Sequence, residues 1–450
     1  MCRMETTLAI IGGGAAGLAA AVAAGERLDR MRRAEGARRA RGAERVRITV
    51  YEADDRVGRT ILATGNGRCN FSNAHIDASL YRNASFVDNV LLAFELRANA
   101  EVPAQRTPAT AQRNGVLGFF ADHGLLWREE GEGRLYPLAN KASVVLDVLR
   151  AAAAHAGVEE RCGARVERVE LPRAAGKPFT LRMADGAFER ADAVIVACGG
   201  CVARAMLPDA FSYAAPQPVL GPLATDAHFA RQLDNIRVKA ALELWRDGAC
   251  VHREEGEVLF RKYGVSGVCV FNVSRLARPG DELAIDFLPA VPADEMAAFL
   301  SARRKRLASH VDGALTCGDF LCGMVLPQVA HVLLERAGLR EEDACDRATA
   351  CALAPLLKGF RLTVEGIGDA RQCQVQRGGF APAAFDVRTL AAHDAPGLHV
   401  VGEALDVDAP CGGYNLHWAW ASGLLAGWSA ADELARRGGF APAGEGEGSR

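Results

Sequence analysis

Gly12-Gly13-Gly14-Ala15-Ala16-Gly17 follows the apolar run Leu8-Ala9-Ile10-Ile11 and precedes Leu18-Ala19-Ala20-Ala21-Val22, a spacing fitted to hold a diphosphate. Each glycine answers a physical need: Gly12 for a tight turn, Gly14 for backbone to touch a pyrophosphate, Gly17 for close packing of helix on strand. The N-terminus of the helix that follows presents free N–H groups and positive dipole charge to the phosphates. Glycine spacing alone is a weak signal, so a second strand ending in an acid is needed. Arg47-Ile-Thr-Val-Tyr51 is that strand, and Glu52 behind it can accept from ribose hydroxyls. Glu52 stands 35 positions past Gly17, where about 20 is usual. The excess falls in Gly25–Arg47, which carries nine arginines and four acids. Its mixed charges predict a solvated helical extension with a loop, not an RNA or membrane patch.

Two further segments carry chemistry. Val57–Asn73 includes Arg59, Gly65, Asn66, Gly67 and Arg68, and its glycines and hydrogen-bonding side chains suit a diphosphate or a flavin edge. No regular helix or strand is expected across it. Near the other end, a strand at Gly397–Val401 leads into Gly402-Glu403 and then Gly412-Gly413-Tyr414-Asn415, the start of a helix. That helix start offers N–H groups to the negative charge of a reduced flavin, and Glu403, Asp406 or Asp408 could bind ribityl hydroxyls. His417 and Tyr414 are the candidates for proton transfer. Leu416, Trp420, Gly423 and Gly427 share one helix face, whose small residues predict close packing.

The elements that must position these residues are set by composition and periodicity. At 450 residues, 50% hydrophobic and 24% charged, the chain is expected to form two or three domains, and a net charge of −2 gives no global pull toward nucleic acid or anionic lipid. No run is apolar enough to span a bilayer, so a cytoplasmic protein acting on a small molecule is expected. Thirteen scattered cysteines predict reduced thiols. With Cys198-Gly-Gly-Cys201 as the one CxxC, no metal site is expected. Asp192–Ala197 reads as a strand, Ala84–Ala100 and Asn140–Leu149 as helices, and Val158–Leu171 and Phe179–Glu189 as short strands. From residue 206 to 355 short strands with Gly and Pro punctuation give way to a charged helical part. The expected organisation is a cofactor-binding domain in two pieces, 1–205 and 356–435, an inserted domain 206–355 and a disordered tail 436–450.

Taken together, IIGGGAAGLAAA (10–21), GRTILATGNGRCNFSN (58–73), GRLYPLANKA (133–142), LFRKYGVSG (259–267) and GEALDVDAPCGGYNLHWAWASG (402–423) resemble the BaiN/RdsA-type NAD(P)/FAD-dependent flavoproteins, also called aminoacetone-oxidase-like or YhiN-like. The second and last of these segments are the most specific. The resemblance implies an α/β fold: a split Rossmann-like FAD-binding domain interrupted by a β-barrel-like domain with a small helical part. It places FAD on Gly12, Gly14, Ala15, Ala16, Gly17, Glu52, Arg59, Gly65, Asn66, Gly67 and Arg68. Val166 is the implied adenine-side contact, and Glu403, Gly412, Gly413, Asn415 and Leu416 are the implied flavin-side closure. The implied chemistry is hydride transfer through flavin N5, with NADH or NADPH docking transiently as donor and an unsaturated or carbonyl compound, such as a steroid-like enone, as acceptor. An amine oxidase releasing peroxide is the alternative within the family, and a flavin-dependent RNA-modifying protein a further one, although nucleic acid is not an expected partner. The chain departs from the family pattern at Thr60, where Lys is usual, at Arg261 in place of Thr, at His417 in place of Gln, and in the loop after Gly200.

Overall fold

The apolar run behind the N-terminus forms the strand Thr7–Ile11, near the middle of a six-stranded sheet. In this computed structural model, residues 6–35, 46–101, 115–174 and 176–437 are described. Thr7–Ile11 pairs in parallel with Arg47–Tyr51 on one side and Ala193–Val196 on the other. Glu159–Arg161 and Ala395–Val400 extend the sheet in parallel, and Ala391–Ala392 closes the far edge antiparallel. A strand buried on both faces must read as a continuous apolar run, and Ala193-Val-Ile-Val196 does so.

Two long helices cover this sheet. Ala15–Glu35 leaves the glycine turn, and Tyr414–Arg437 returns from the far end of the chain. They cross on the face foreseen: a methyl group on Gly423 would lie 2.3 Å from the Ala16 carbonyl oxygen, and one on Gly427 2.3 Å from that of Ala20. Glycine is therefore what allows backbone to meet backbone there. Trp420 donates its ring N–H to the Phe71 carbonyl at 2.8 Å, and Trp418 donates to Gly402 at 3.1 Å, so the returning helix also pins both loops of the site.

The arginine-rich stretch begins as expected, with the first helix running on to Glu35; residues 36–45 of that stretch lie outside the described residues. Two three-stranded antiparallel sheets belong to the unit, one of Ser72–Asn73, Trp127–Glu130 and Arg134–Pro137, the other of Val166–Glu170, Phe179–Met183 and Phe188–Ala191, and Tyr213–Val219 pairs with Val375–Phe380 in a further two-stranded sheet.

The chain divides into two units, one running to Gln217 and resuming at Gln376, the other comprising Pro218–Val375. The second unit thus begins and ends later than the expected 206–355. The reason is closure: Phe360–Ile367 pairs with both Glu282–Asp286 and Leu223–Thr225, completing a six-stranded barrel that would stay open if the unit ended at 355. Val268–Ser274 is a short helix, and four helices between Met296 and Lys358 form the charged helical part. Lys358 is half-swallowed by this unit, its ammonium donating to Asp286 at 2.5 Å and to the carbonyls of Leu288 and Val291. Arg436 and Arg437, expected in a tail, still belong to the last helix; the remainder of that tail, 438–450, lies outside the described residues. No helix among the described residues is long and apolar enough to cross a membrane.

Candidate cofactor site

The first glycine turn is built by exclusion. A methyl on Gly12, whose φ is +104°, would sit 2.6 Å from the Ala197 carbonyl oxygen, and one on Gly17 would sit 1.9 Å from that of Gly12. Gly14 differs: the nearest atom to its would-be methyl is Thr60 Oγ1 at 3.4 Å. Two of the three glycines thus close the turn, while the third leaves backbone bare for a ligand. Glu52 completes the turn by accepting from Gly13 N–H at 2.9 Å through one oxygen and from Asp54 N–H at 2.9 Å through the other. Each oxygen keeps a lone pair for a hydroxyl. Ala164 N–H donates to the Glu52 carbonyl at 2.8 Å, which brings the start of the strand at Val166 beside the same acid. Val166 itself is buried.

Val57–Asn73 is not irregular throughout, as was expected. Arg59–Ala63 is a short helix entered through Gly58 at φ +74°, because the glycines that forbid regular structure begin only at Gly65. Gly65, Asn66, Gly67 and Cys69 then all take left-handed backbone angles. The two arginines read as phosphate ligands are held by acids. Arg59 pairs with Asp54 at 3.4 Å and Asp55 at 3.8 Å. Arg68 pairs with Glu130, donates to Asn140 at 2.6 Å and lies 4.1 Å over the Tyr136 ring. Burial pushes the Cys69 thiol up to about 11 and the Cys198 thiol up to about 12, so neither is a ready thiolate.

The second glycine turn meets the first segment directly. A methyl on Gly413 would lie 2.2 Å from the Ser72 carbonyl oxygen, and Asn73 donates to the Gly412 carbonyl at 2.9 Å. Asn415 holds the loop before it, accepting from Ala409 N–H at 2.9 Å and donating to the Ala409 carbonyl at 2.8 Å. Leu416 packs on the core. Tyr414 donates its hydroxyl to the His75 carbonyl at 3.1 Å, and burial first, then Asp77 and Glu132, holds that hydroxyl in its protonated form. His417 is buried, shares a 2.9 Å hydrogen bond with Ser72 through Nδ1, and is pushed by burial down to about 3. It is a neutral ring that fixes the helix start.

Of the three acids that could bind a ribityl chain, the structure engages two. Asp408 takes both donors of Arg377 at 2.9 Å, and Asp406 accepts from Arg82 at 2.7 Å and Gly378 N–H at 3.0 Å. Glu403 has no hydrogen-bonded partner among the described residues, and burial, then the Asp408 charge, pushes its carboxyl up to about 7. Glu403 follows Gly402, which rests on Ala16 at the start of the first helix. The bare Gly14 backbone, the unengaged Glu403 and the donors at Gly413 fit the diphosphate, ribityl and ring portions of FAD. Sequence reasoning missed Ser72, Asn73 and Arg377, whose partners lie 345, 339 and 31 residues away; no local pattern marks such pairs.

A split Rossmann unit with this turn, this acid and this second helix start defines an FAD-dependent oxidoreductase. The chain belongs to the HI0933-like family, whose Rossmann-domain model matches residues 6–429. It is 32% identical over 94% of its length, and 99% of the relative's, to a 3-dehydro-bile acid delta(4,6)-reductase of Clostridium scindens. It is 26% identical to a ribosomal RNA dihydrouridine synthase of Escherichia coli K12, over 94% of this chain and 97% of that one. Among solved structures, a 3-ketosteroid-delta4-(5alpha)-dehydrogenase from Rhodococcus jostii RHA1 matches with a TM-score of 0.41 at 13% identity, covering 96% of this chain and 98% of that one.

Proposed function

We propose that the enzyme takes a hydride from NADH or NADPH and delivers it to a carbon–carbon double bond conjugated with a carbonyl. FAD supplies the hydride relay through its ring. The chain's own residues bind and orient: Gly14 with the N–H groups of Ala15 and Ala16 for the pyrophosphate, Glu52 for the ribose, Glu403 for the ribityl chain. The N–H groups at Gly413 and Tyr414 stabilise negative charge on the ring. Hydride addition to such a double bond also needs a proton at the neighbouring carbon, and Tyr414, holding its proton, is our donor. The observation that carries the reading is the chemistry common to two full-length relatives. The names of both the bile-acid reductase and the dihydrouridine synthase describe saturation of a double bond conjugated to a carbonyl.

The deciding experiment is anaerobic mixing of the yellow protein with NADH or NADPH, followed by a Δ4-3-ketosteroid. Bleaching of the flavin band by nucleotide and its return on adding the enone are expected. Bleaching by small amines alone would replace the reductase with an amine oxidase, and protein that binds no flavin would end the reading. The second relative supports a pyrimidine in RNA as the acceptor, and return of the band with uridine-containing RNA but not with the enone would select it.

A further inference from the structure

We infer that the side-chain amide of Asn70 pairs with the imide edge of the flavin ring, its oxygen accepting from the ring N3–H and its nitrogen donating to the neighbouring ring carbonyl. The inference rests on FAD being the cofactor, adds a residue to its site, and is independent of which acceptor is reduced.

Asn70 lies between two positions of positive φ, Gly65 at +56° and Gly413 at +98°. A methyl on Gly65 would stand 3.0 Å from the Asn70 backbone nitrogen, and one on Gly413 would stand 2.9 Å from Asn70 Oδ1. Backbone fixes both flanks: Cys69 N–H donates to the Thr64 carbonyl at 3.1 Å, and Phe71 N–H to that of Leu135 at 3.0 Å. The neighbouring polar side chains are engaged. Ser72 bonds to His417, and Asn73 uses both ends of its amide, donating to the Glu132 and Gly412 carbonyls and accepting from His75 N–H at 2.8 Å. The Asn70 amide differs: its Oδ1 is buried without a partner, and its nitrogen has none among the described residues. An unpaired buried acceptor costs free energy, so a segment this firmly held keeps one only where a donor arrives from outside the chain.

The portion of FAD that supplies the donor follows from its chemistry. An amide presents an acceptor beside a donor and is matched by a donor beside an acceptor. Two parts of FAD have that pattern, the adenine edge and the imide of the ring, whose N3–H stands between two carbonyls. The adenine end is read at Glu52 and the first turn, whereas Asn70 shares Gly413 with the N–H groups offered to the ring.

The test exchanges the FAD of the full-length holoenzyme for N3-methyl-FAD, which lacks the donor, or for 5-deaza-FAD, whose imide is intact, and reads dissociation constants by flavin fluorescence. The wild type should bind N3-methyl-FAD about tenfold more weakly than FAD, and 5-deaza-FAD as tightly as FAD. Asn70→Ala should weaken FAD about tenfold and bind FAD and N3-methyl-FAD within about twofold of each other. The wild-type comparison needs no variant, so it stands even if Asn70→Ala fails to fold. Equal binding of FAD and N3-methyl-FAD by the wild type is the result expected if water satisfies the amide, and it would overturn the inference. So would discrimination that survives in Asn70→Ala, or a loss confined to 5-deaza-FAD. In each of these FAD itself still binds; failure to bind FAD at all would end the cofactor reading together with the inference.

Discussion

The two glycine turns stand at the starts of two long helices and share a backbone exclusion, yet they are finished by different means. The turn at Gly12–Gly17 is closed by backbone on backbone, and one carboxylate, Glu52, finishes it. At Gly412–Gly413 the Ser72 carbonyl likewise excludes a methyl on Gly413, and side chains add to it: Asn73 on the Gly412 carbonyl, Asn415 on Ala409 in the loop before it, Ser72 on His417, and the pairs Asp408–Arg377 and Asp406–Arg82 on the approach loop. The steric part of either turn tolerates no added atom, whereas the polar contacts that finish the second can be weakened step by step.

That contrast orders the expected effects. Gly17→Ala should be the most damaging, because backbone cannot yield 1.9 Å to a methyl; a loss of about 3 kcal/mol and of bound flavin is expected in denaturant titration. Asp408→Asn strands the Arg377 charge in a buried setting and should cost about 3 kcal/mol, whereas Asp406→Asn, whose partner Arg82 is 42% exposed, should cost about 1 kcal/mol. Equal losses at the two positions would erase the distinction between buried and open pairs. Asn415→Ala should cost about 1–2 kcal/mol while leaving the first turn intact, so weaker flavin retention without loss of the Rossmann core is expected.

The acid dependence separates the turns again. Glu403 is raised from 4.5 to about 7, so the fold favours its neutral form: that contribution is full below about pH 4.5 and lost as pH rises toward 7. His417 is lowered from 6.5 to about 3, so its contribution is full above pH 6.5 and lost as pH falls toward 3. Melting temperature against pH in flavin-stripped protein should flatten on the high side in Glu403→Gln and on the low side in His417→Gln. The smallest change in stability is expected for Tyr414→Phe, about 0.5–1 kcal/mol for one half-exposed hydrogen bond. A much larger fall in enone reduction than in flavin bleaching would then mark Tyr414 as the proton donor.

The same contrast explains what the sequence made legible. Strand, turn and helix of the first site lie within Leu8–Val22, so local sterics dictate the glycine spacing, and the Gly423 and Gly427 face follows from helical periodicity. What the sequence did not show at Arg59 and Arg68 is the acids that fold onto them; Asp54 is near in sequence, but Glu130 lies 62 residues on. The barrel's extent was misjudged for a related reason. Its last strand, Phe360–Ile367, alternates like any half-buried strand, and nothing in it names its partners.

The crossing of the first and last helices also has a consequence for how the chain is made. Ala16 and Gly423 touch, yet the ribosome adds them 407 residues apart. At about 5–20 residues per second the first helix waits on the order of 20–80 seconds for its partner. The barrel unit, contiguous between 218 and 375, is complete before then. The cofactor domain is therefore the last part of the molecule able to fold during synthesis, and its alanine-rich first helix spends that interval without the surface it is shaped to meet.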